Sequence, residues 1–353
     1  MPIFHAEELR VIAREVFQAT GFPPAEADVI AEVMVKANLV GHDSHGVIHI
    51  PNYVGRIKRG EIVPGAPVEV VQETASTALL DGHHTLGHVA ATRATRLALE
   101  KARQNGVSAV GVYNLNHIGR VGTYPAMLAE AGMASMLTCN TGGAGKRVVP
   151  FGGREARLPT NPIAMAAPTR RGWPLLLDMA TSAVAAGKIR VAKNQQKPTG
   201  EGWIVDKHGN PTTNPEDFYE GGALLPLGGA QGHKGYSLAV MVEVFSGIIA
   251  RAGTAALTRE RLNNGTFIVA IDIETFLPKE TFLDEVEQLI TYLKSTPPAP
   301  GFAEVLVPGE YEARQEEKRR AQGIVIDPET WRQIQEVLRE YKLEDKVPSG
   351  REG

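Results

Sequence analysis

The chain has 353 residues, of which 43% are hydrophobic and 22% charged, and its formal net charge is -3. This composition is typical of a globular protein with a sizeable core, and the small net charge disfavours nucleic acid or an anionic membrane as a partner. The single cysteine, Cys139, excludes an internal disulfide and favours a reducing compartment. Because we also recognise no signal peptide and no apolar window of membrane-spanning length, we expect a cytoplasmic location.

Hydrophobic periodicity predicts helices near both ends of the chain and a middle rich in strands. The predicted helices cover residues 6–19, 24–40, 89–104, 123–131, 236–250, 281–294, 310–322 and 328–341. The predicted strands lie within 67–81 and at 107–112, 134–138, 163–167, 175–179 and 203–206. The strand–helix–strand order from 107 to 138 indicates an α/β layer and, taken locally, a parallel sheet. We expect the polar tail from Lys342 to be frayed.

The densest group of reactive side chains lies in residues 41–53, directly after the second predicted helix. This segment contains His42, Asp43, Ser44, His45, His49 and Tyr53. A segment that only had to turn the chain would favour Gly, Pro, Asn or Asp, whereas these side chains can all take part in proton transfer. A loop just past a helix end is also an exposed position suited to a site.

Several well-known motifs are absent. The chain has no Gly-x-Gly-x-x-Gly, no P-loop and no His-Glu-x-x-His, and the glycine before Ser44 is one residue too early for a nucleophile elbow. Two histidine sets have spacings that a metal could use, namely His42 with His45, and His83 with His84 and His88, but we assign no metal site. The second set is better interpreted as a polar loop.

Three further features have both a structural and a functional interpretation. His117 follows a predicted strand and is either a hydrogen-bonded structural histidine or an acid–base group. Asp178 ends a strand and either caps the next segment or helps to hold a phosphate or ribose. Lys234 precedes an apolar helix and is either a solvated charge or a phosphate partner.

Taken together, a series of ordered motifs resembles the type 2 malate/L-lactate dehydrogenase family, which includes sulfolactate and ureidoglycolate dehydrogenases and cyclic-imine reductases. The resemblance runs from about residue 5 to about residue 335. The motifs are Asp43-Ser44-His45-Gly46-Val47 with Pro51 and Tyr53, Asn116-His117 with Gly119, Val149 to Gly153, Thr160 to Ala164, Asp178 to Ser182, Gly187-Lys188, Gly202 to Asp206, Pro211 to Thr213, Leu225 to Leu227, Lys234 to Tyr236, Asn264-Gly265 and Pro308 to Glu310.

The resemblance implies an α/β protein with a non-Rossmann dinucleotide-binding fold, whose central sheet is mainly antiparallel. It also implies a helical domain formed by both chain ends, with residues 1–75 completed by 300–353, and a central cofactor-binding and dimerisation region at 76–299. The implied activity is hydride transfer between NAD or NADP and C2 of a small 2-hydroxy or 2-keto acid, such as malate or L-lactate. The implied assembly is a homodimer.

The resemblance also implies roles for individual residues. His117 would be the proton carrier, with Ser44 and His45 lining the same site and Tyr53 bonding the substrate. The implied cofactor-binding residues are Thr141, Asp178, Met179, Ala180, Lys234, Pro298 and Ala299. The protein would supply binding and orientation, because the nicotinamide supplies the hydride chemistry.

One departure leaves the substrate open. The family usually has Arg where this chain has His49, and an imidazole cannot form the two-pronged carboxylate contact of a guanidinium. Either His49 contacts the substrate more weakly, or another cation replaces it, the candidates being Lys146, Arg147, Arg56 and Arg120. The alternative activities are reduction of cyclic imino or N-methyl amino acids and, from another class, a metal-dependent hydrolase that uses His42, His45 and His117.

Overall fold

A computed structural model describes residues 1–143, 145–257 and 262–352. Its α-helices are α1 (Ala6–Ala19), α2 (Pro24–Leu39), α3 (Ile50–Lys58), α4 (Gly87–Asn105), α5 (Thr123–Glu130), α6 (Ala186–Asn194), α7 (Pro215–Tyr219), α8 (His233–Val242), α9 (Lys279–Lys294), α10 (Glu310–Gln322) and α11 (Pro328–Glu340). Its strands are β1 (Pro2–Phe4), β2 (Glu69–Glu73), β3 (Thr77–Asp81), β4 (Val107–Tyr113), β5 (Met133–Cys139), β6 (Ile163–Ala167), β7 (Leu175–Met179), β8 (Ile204–Val205), β9 (Pro211–Thr212), β10 (Ala223–Leu224), β11 (Thr266–Asp272), β12 (Ile324–Val325) and β13 (Arg351–Glu352).

The central layer is a mixed sheet of seven described strands in the order β2-β3-β4-β11-β5-β6-β7. Only β3 and β4 pair in parallel among the described strands of this sheet, while its other pairings are antiparallel. The parallel sheet that the local strand–helix order suggested is therefore wrong, and the mainly antiparallel sheet implied by the resemblance is the one found. The reason is that β11, far along the chain, inserts between β4 and β5.

The strand directions bring several chain segments together at one edge. Since β4 and β5 both run antiparallel to β11, they share a direction. The parallel pairing of β3 with β4 and the two antiparallel steps from β5 through β6 to β7 extend that direction to β3 and β7. The carboxyl ends of β3, β4, β5 and β7 consequently lie along the same edge, where His117, Thr141 and Asp178 follow or end their strands.

Two large apolar cores support this edge. The first is built by helices from both chain ends, with Phe4, Phe17 and Tyr53 packed near Ile334. The second packs α4 and α5 on the sheet, around residues such as Leu80, Val112 and Tyr124. Partly buried Val89, in the first turn of α4, packs against both.

The C-terminal tail is ordered rather than frayed. Arg351 and Glu352 form β13, which pairs antiparallel with β1, and β1 also pairs with β12. The expectation of a frayed tail from Lys342 is thus wrong at its far end, because a strand at the other chain terminus satisfies the backbone groups of the tail.

Gly87 sets how closely α4 approaches the segment after β4. A Cβ atom at this position would lie 2.2 Å from the backbone oxygen of Asn116 and 2.6 Å from that of His117. Such distances are far inside van der Waals contact, and the atoms that would clash belong to backbone that cannot rotate away. The close approach fixes the position of His117 relative to the start of α4.

We therefore expect Gly87→Ala to displace the backbone at His117. Overpacking of this kind costs about 1–3 kcal/mol, and it should lower activity more than the loss of stability accounts for. The matched control is Gly55→Ala in α3, whose Cβ would meet only the end of the flexible Arg59 side chain at 3.3 Å. Urea unfolding and activity at a temperature where both variants are folded provide the measurement. Equal behaviour of the two variants would contradict this role for Gly87.

Candidate active site

The histidine-rich segment is a pair of short 3-10 turns, Asp43–His45 and Val47–His49, that lead directly into α3. Asn38, buried at the end of α2, braces them, since its side-chain oxygen accepts from the amide of Val47 at 2.9 Å and its nitrogen donates to Asp43 at 2.7 Å. A Cβ at Gly46 would lie 2.1 Å from the same Asn38 oxygen. The segment is thus held in one conformation by α2.

The outer side of the segment is tied to α10. Arg319 donates to both carboxylate oxygens of Asp43, at 2.6 and 2.9 Å. His42 lies 3.2 Å from a carboxylate oxygen of Glu312. The side chain of His42 therefore lies against Glu312 of α10. A metal site built on His42, His45 and His117 would need this side chain to face the other two imidazoles.

The inner side of the segment brings four aromatic side chains together. His45 stacks on His117 with ring centroids 5.8 Å apart, and His49 lies 5.1 Å from His117. His49 also stacks on Tyr53 at 5.2 Å, with 15° between the rings. Ser44 joins them through a bond of its hydroxyl with Nδ1 of His45 at 3.0 Å. The predicted residues Ser44, His45, His49, Tyr53 and His117 thus form one cluster, which we call the imidazole cluster.

Tyr53 and His117 form the central hydrogen bond of this cluster. The Tyr53 hydroxyl lies 2.6 Å from Nδ1 of His117, and the tyrosine side chain is fully buried in the helical core. The bond leaves Nε2 as the ring nitrogen of His117 available to another molecule. The sequence-based expectation was a bond from Tyr53 to the substrate, whereas its partner within the protein is His117, the predicted proton carrier.

Burial controls the protonation of the cluster. It lowers the pKa of His117 well below its usual 6.5, and the neighbouring His49, His45, His88 and Arg56 lower it further. Burial likewise lowers the pKa of His45 to about 4, with repulsion from His49 next in size. Burial raises the pKa of Tyr53, so its phenol stays protonated. At neutral pH the site therefore presents neutral imidazoles beside a phenol.

The side chain of His49 is held by a hydrogen bond to the backbone of Ser44. Its Nε2 donates to the carbonyl oxygen of Ser44 at 2.8 Å. Burial lowers the pKa of His49 despite this bond, and the charges of Arg56 and Arg190 act in the same direction. A neutral imidazole in this state has only Nδ1 left, which accepts rather than donates. In this conformation His49 offers no charge to a carboxylate.

Asn116 connects the cluster to a cation. Its side-chain oxygen accepts from Arg56 at 2.6 Å and from the backbone amide of His117 at 2.9 Å. Arg56 also lies 3.3 Å from Glu61. Arg56, one of the alternative cations, is therefore engaged in positioning Asn116 and in an ion pair with Glu61.

Asp178 and Arg120 form a buried ion pair at the neighbouring strand end. Nε of Arg120 lies 3.0 Å from a carboxylate oxygen of Asp178, and their side chains are 3% and 11% exposed. The same oxygen accepts the amide of Gly122 at 3.0 Å. The N–H groups at Nε and Nη2 of Arg120 are buried without an aligned hydrogen-bond partner among the described residues, so Asp178 balances the charge of this guanidinium by proximity rather than by an aligned bond.

The other predicted cofactor residues divide into two groups. Thr141, Met179 and Ala180 are partly buried at the carboxyl ends of β5 and β7, on the edge that carries His117 and Asp178. The remaining cofactor candidates are exposed elsewhere, namely Lys234 in the first turn of α8, and Pro298 and Ala299 between α9 and α10. Lys146, predicted to bind the substrate, is exposed after β5. The roles of both groups stay predictions.

His88 was missed by the sequence-based interpretation, which placed it in a polar loop. His83 and His84 do lie in a turn, but His88 is in the first turn of α4, fully buried, with its ring 5.6 Å from that of Tyr53. The local sequence offered no signal for it, because the predicted helix began at residue 89, and the packing of Gly87 on His117 becomes visible only in the fold. The spacing to His83 and His84 pointed away from it.

Residues 1–143, 145–257 and 262–352 contain neither a metal-binding cluster nor a membrane-spanning helix. No group of three or more His, Cys, Asp or Glu side chains is arranged there to hold a metal ion. None of the helices in that part of the chain is both long and apolar enough to cross a membrane.

A mixed α/β fold with a neutral acid–base cluster at a sheet edge defines a class of candidate enzyme, and comparison with known proteins narrows it. Residues 4–335 match the model of the malate/L-lactate dehydrogenase family. The chain is 37% identical to an L-sulfolactate dehydrogenase of Methanothermobacter thermautotrophicus, over 97% of this chain and 98% of that protein. The chain therefore belongs to the malate/L-lactate dehydrogenase family, and it is an oxidoreductase.

Solved structures agree with this assignment. Malate dehydrogenase from Entamoeba histolytica superposes with a TM-score of 0.92 at 29% identity, covering 98% of each chain. The Δ1-piperideine-2-carboxylate reductase from Pseudomonas syringae superposes with a TM-score of 0.85 at 28% identity, covering 96% of this chain and 100% of that one. The same fold is thus found in proteins named for a hydroxy-acid and for a cyclic-imine reaction.

The buried ion pair yields a stability prediction. Asp178→Asn would leave the Arg120 charge buried without its counter-ion, which typically costs about 3–5 kcal/mol. The matched control is Asp284→Asn, because Asp284 pairs with Arg170 at the surface, where both side chains are largely exposed. We expect the urea midpoint to fall clearly in the first variant and to change little in the second. Similar midpoints would show that Arg120 does not depend on Asp178.

Proposed function

We propose that the protein is an NAD(P)-dependent oxidoreductase that interconverts a small 2-hydroxy acid, of the malate or L-lactate type, and its 2-keto acid. The observation that carries the proposal is His117, a neutral imidazole fixed by Tyr53 at 2.6 Å with Nε2 available. It lies at the sheet edge that also carries Asp178 and the buried Arg120. An acid–base group, His117, and a positive charge that can attract an anionic ligand, Arg120, therefore lie at the same edge of the sheet.

The proton chemistry follows from the state of His117. Oxidation of a 2-hydroxy acid removes the hydroxyl proton as the hydride leaves, and a neutral imidazole with a free Nε2 can accept that proton. In the reverse direction the imidazolium returns it to the carbonyl oxygen. Ser44 and His45 orient the substrate oxygen from the opposite wall, where His45 stacks on His117 at 5.8 Å.

The residues at the sheet edge fit a dinucleotide. Arg120 has buried donors without aligned partners, and Gly122 leaves room for the Asp178 carboxylate, since a Cβ there would lie 2.5 Å from it. We assign Asp178, Met179, Ala180 and Thr141 to this ligand, with Lys234, Pro298 and Ala299 added from the family resemblance. The nicotinamide supplies the hydride acceptor or donor when bound. On this proposal the mixed sheet replaces a Rossmann crossover, and either NAD or NADP is used.

The substrate carboxylate needs a cation other than His49. His49 is neutral and its Nε2 is committed to Ser44, and Arg56 is committed to Asn116 and Glu61. We propose that Lys146 or Arg120 holds the carboxylate, while His49 limits the volume next to His117. In this proposal Tyr53 acts on the substrate through His117. The sequence-based alternative is a direct hydrogen bond from Tyr53 to the substrate, and Tyr53→Phe removes the hydroxyl that either role needs.

The larger organisation is also a proposal. We retain a helical domain of residues 1–75 completed by 300–353, and a central region of 76–299 that binds the cofactor and dimerises. A homodimer is supported by an unusual apolar surface on α8 and the π-helical residues that follow it. The exposed side chains of this surface are Leu238, Val240, Met241, Ile248 and Ile249. The single cysteine supports a cytoplasmic location.

A substrate and cofactor panel tests the proposed function. Oxaloacetate, pyruvate, other 2-keto acids and cyclic imines are each assayed with NADH and with NADPH, before and after treatment with a chelator. We expect the enzyme to reduce at least one 2-keto acid, and we expect this activity to persist after treatment with the chelator. Reduction confined to cyclic imines would favour the alternative activity suggested by the piperideine-carboxylate reductase structure. Hydrolysis that the chelator abolishes would favour the metal-dependent hydrolase.

His117 gives the sharpest prediction within this proposal. His117→Ala should lower turnover by about two to four powers of ten, as loss of a general base does, and should leave cofactor binding nearly unchanged. Because burial lowers the pKa of His117, the wild-type enzyme should oxidise its substrate at full rate down to pH 6.5 and lose activity only below it. Rate–pH profiles and cofactor titration by fluorescence measure both effects. Near-normal turnover in the variant would contradict the assignment.

His49 gives a prediction about specificity. His49→Arg should lower the KM for 2-keto acids by about tenfold if the new guanidinium reaches the carboxylate, because a charge-assisted bond contributes about 1.5–3 kcal/mol. His49→Gln is the matched control, since it is polar, uncharged and of similar length. Unchanged kinetic constants for every acid in both variants would show that position 49 lies away from the substrate.

A further inference from the structure

His88 lies behind the catalytic pair and takes no part in the chemistry described so far. Its ring meets that of Tyr53 edge-on, at 5.6 Å and 73°, and its residue is 0% exposed. The turn that carries His117 passes close to it, since a Cβ at Gly119 would lie 2.7 Å from Nε2 of His88. His88 therefore contacts both elements that hold the Tyr53–His117 bond.

Both ring nitrogens of His88 are buried without a hydrogen-bond partner among the described residues. A neutral imidazole always has one nitrogen that accepts and one that donates. Burial lowers the pKa of His88 to about 3, with repulsion from His49 and His45 adding to it, so the ring is neutral in the working range. An unused acceptor in the interior costs about 1–3 kcal/mol, and a nearby donor would remove that cost.

The Tyr53–His117 bond leaves such a donor. For His117 to accept a proton at Nε2, its own ring proton must be on Nδ1, where it donates to the Tyr53 oxygen 2.6 Å away. The hydroxyl proton of Tyr53 then needs another acceptor. Nδ1 of His45 is bonded to the Ser44 hydroxyl. Nδ1 of His49 can accept, but its ring stacks on that of Tyr53 with 15° between the planes, so its in-plane lone pair runs alongside the phenol rather than towards it.

We propose that His88 accepts a hydrogen bond from the Tyr53 hydroxyl through one buried water, and so holds His117 in the tautomer whose Nε2 is free. His88 is then a positioning residue that acts through Tyr53. The inference rests on the proposed role of His117 as proton carrier. No proton leaves Tyr53 or His88 in this arrangement, since the substrate proton moves only to Nε2 of His117 while Nδ1–H keeps donating to Tyr53.

The charged and titratable neighbours do not alter this conclusion. His45 and His49 face the ring from the two 3-10 turns, Tyr53 and Arg56 face the pair from α3, and His117 faces it from the segment after β4. Burial and the imidazoles of His49 and His45 disfavour positive charge on His88, and the phenol stays protonated. His88 therefore works as a fixed neutral acceptor, and its own titration has no part in the proposal.

Loss of the acceptor has a defined consequence for His117. The Tyr53 hydroxyl would turn and donate to Nδ1 of His117, which favours the neutral ring with its proton on Nε2. That tautomer cannot accept the substrate proton, so oxidation should slow. The bond also stabilises the neutral form, so the acid limb of the rate–pH profile should move to lower pH.

The experiment compares oxidation by His88→Phe, His88→Leu and His88→Gln across pH with the wild type. We expect Phe and Leu, which offer no acceptor, to lower kcat by about ten- to a hundredfold, the range for a misoriented catalytic group. The acid limb of the rate–pH profile should move to lower pH, while the KM for substrate and the affinity for cofactor stay within about twofold of the wild-type values. Gln keeps an acceptor and should recover kcat to within about threefold. Having both Phe and Leu guards against one variant failing to fold.

Two controls separate orientation from packing. Thr92→Val changes a buried residue one turn further along α4, whose hydroxyl also lacks a partner among the described residues, and it should leave kcat and the pH profile unchanged. In a Tyr53→Phe background, His88→Phe should lower kcat by less than twofold more, because the hydroxyl through which it acts is absent. Additive effects would overturn the inference.

The remaining outcomes are also decisive. A His88→Phe enzyme with wild-type kcat and pH profile would overturn the inference, and so would a Gln variant as slow as the Phe variant, which would indicate packing alone. If the wild-type enzyme reduces no 2-keto acid, or if His117→Ala keeps full activity, it is the proposed function that has failed. An active wild type and an inactive His117→Ala, combined with unaffected His88 variants, would overturn this inference alone.

Discussion

The hydrogen bond between Tyr53 and His117 joins the two cores of the molecule. Tyr53 is buried in the helical core built from both chain ends, whereas His117 lies between Leu115 and Ile118, which belong to the core under the sheet. Their 2.6 Å contact can persist only if the two cores keep their relative position. Val89, in the first turn of α4, packs against both cores, and Gly87 in the same turn packs closely on the backbone of residues 116–117. The acid–base geometry therefore follows from packing at the start of α4 rather than from the loop alone.

Desolvation gives the site its chemical character. Burial keeps the imidazoles of His45, His88 and His117 neutral, and this allows several of them to lie in contact without mutual repulsion. Positive charge at the same edge comes from the guanidinium groups of Arg120 and Arg56. On the proposed function this arrangement separates two tasks: the histidines would handle protons and hydrogen-bond geometry, and the arginines would provide the electrostatic field for anionic ligands.

The sequence predicts local structure well and long-range pairing poorly. Helix periodicity located α1 and α10 to the residue, and β6 and β7 were predicted with their observed bounds, because these signals depend on neighbours a few positions away. The prediction of a parallel sheet was wrong because β11 lies between β4 and β5, although it comes more than a hundred residues later in the chain. The prediction of a frayed C-terminal tail was wrong because β13 pairs with β1. Within the site, ordered motifs brought Ser44, His45, His49, Tyr53 and His117 together, while His88 carried no local signal that distinguished a buried acceptor from a loop residue.

Position 49 links base strength to substrate recognition. A guanidinium in the place of His49, about 5 Å from the His117 ring, would disfavour the imidazolium by about 3 kcal/mol at an effective dielectric constant of about 20. The neutral imidazole found here removes that repulsion and stacks on Tyr53 at 5.2 Å, so it supports the proton-carrying pair from the side. It thereby leaves His117 a stronger base than an arginine neighbour would. On the proposed function, carboxylate recognition would then come from a cation further from His117, and the residue at 49 would influence both which acids fit and how readily their hydroxyl proton is removed.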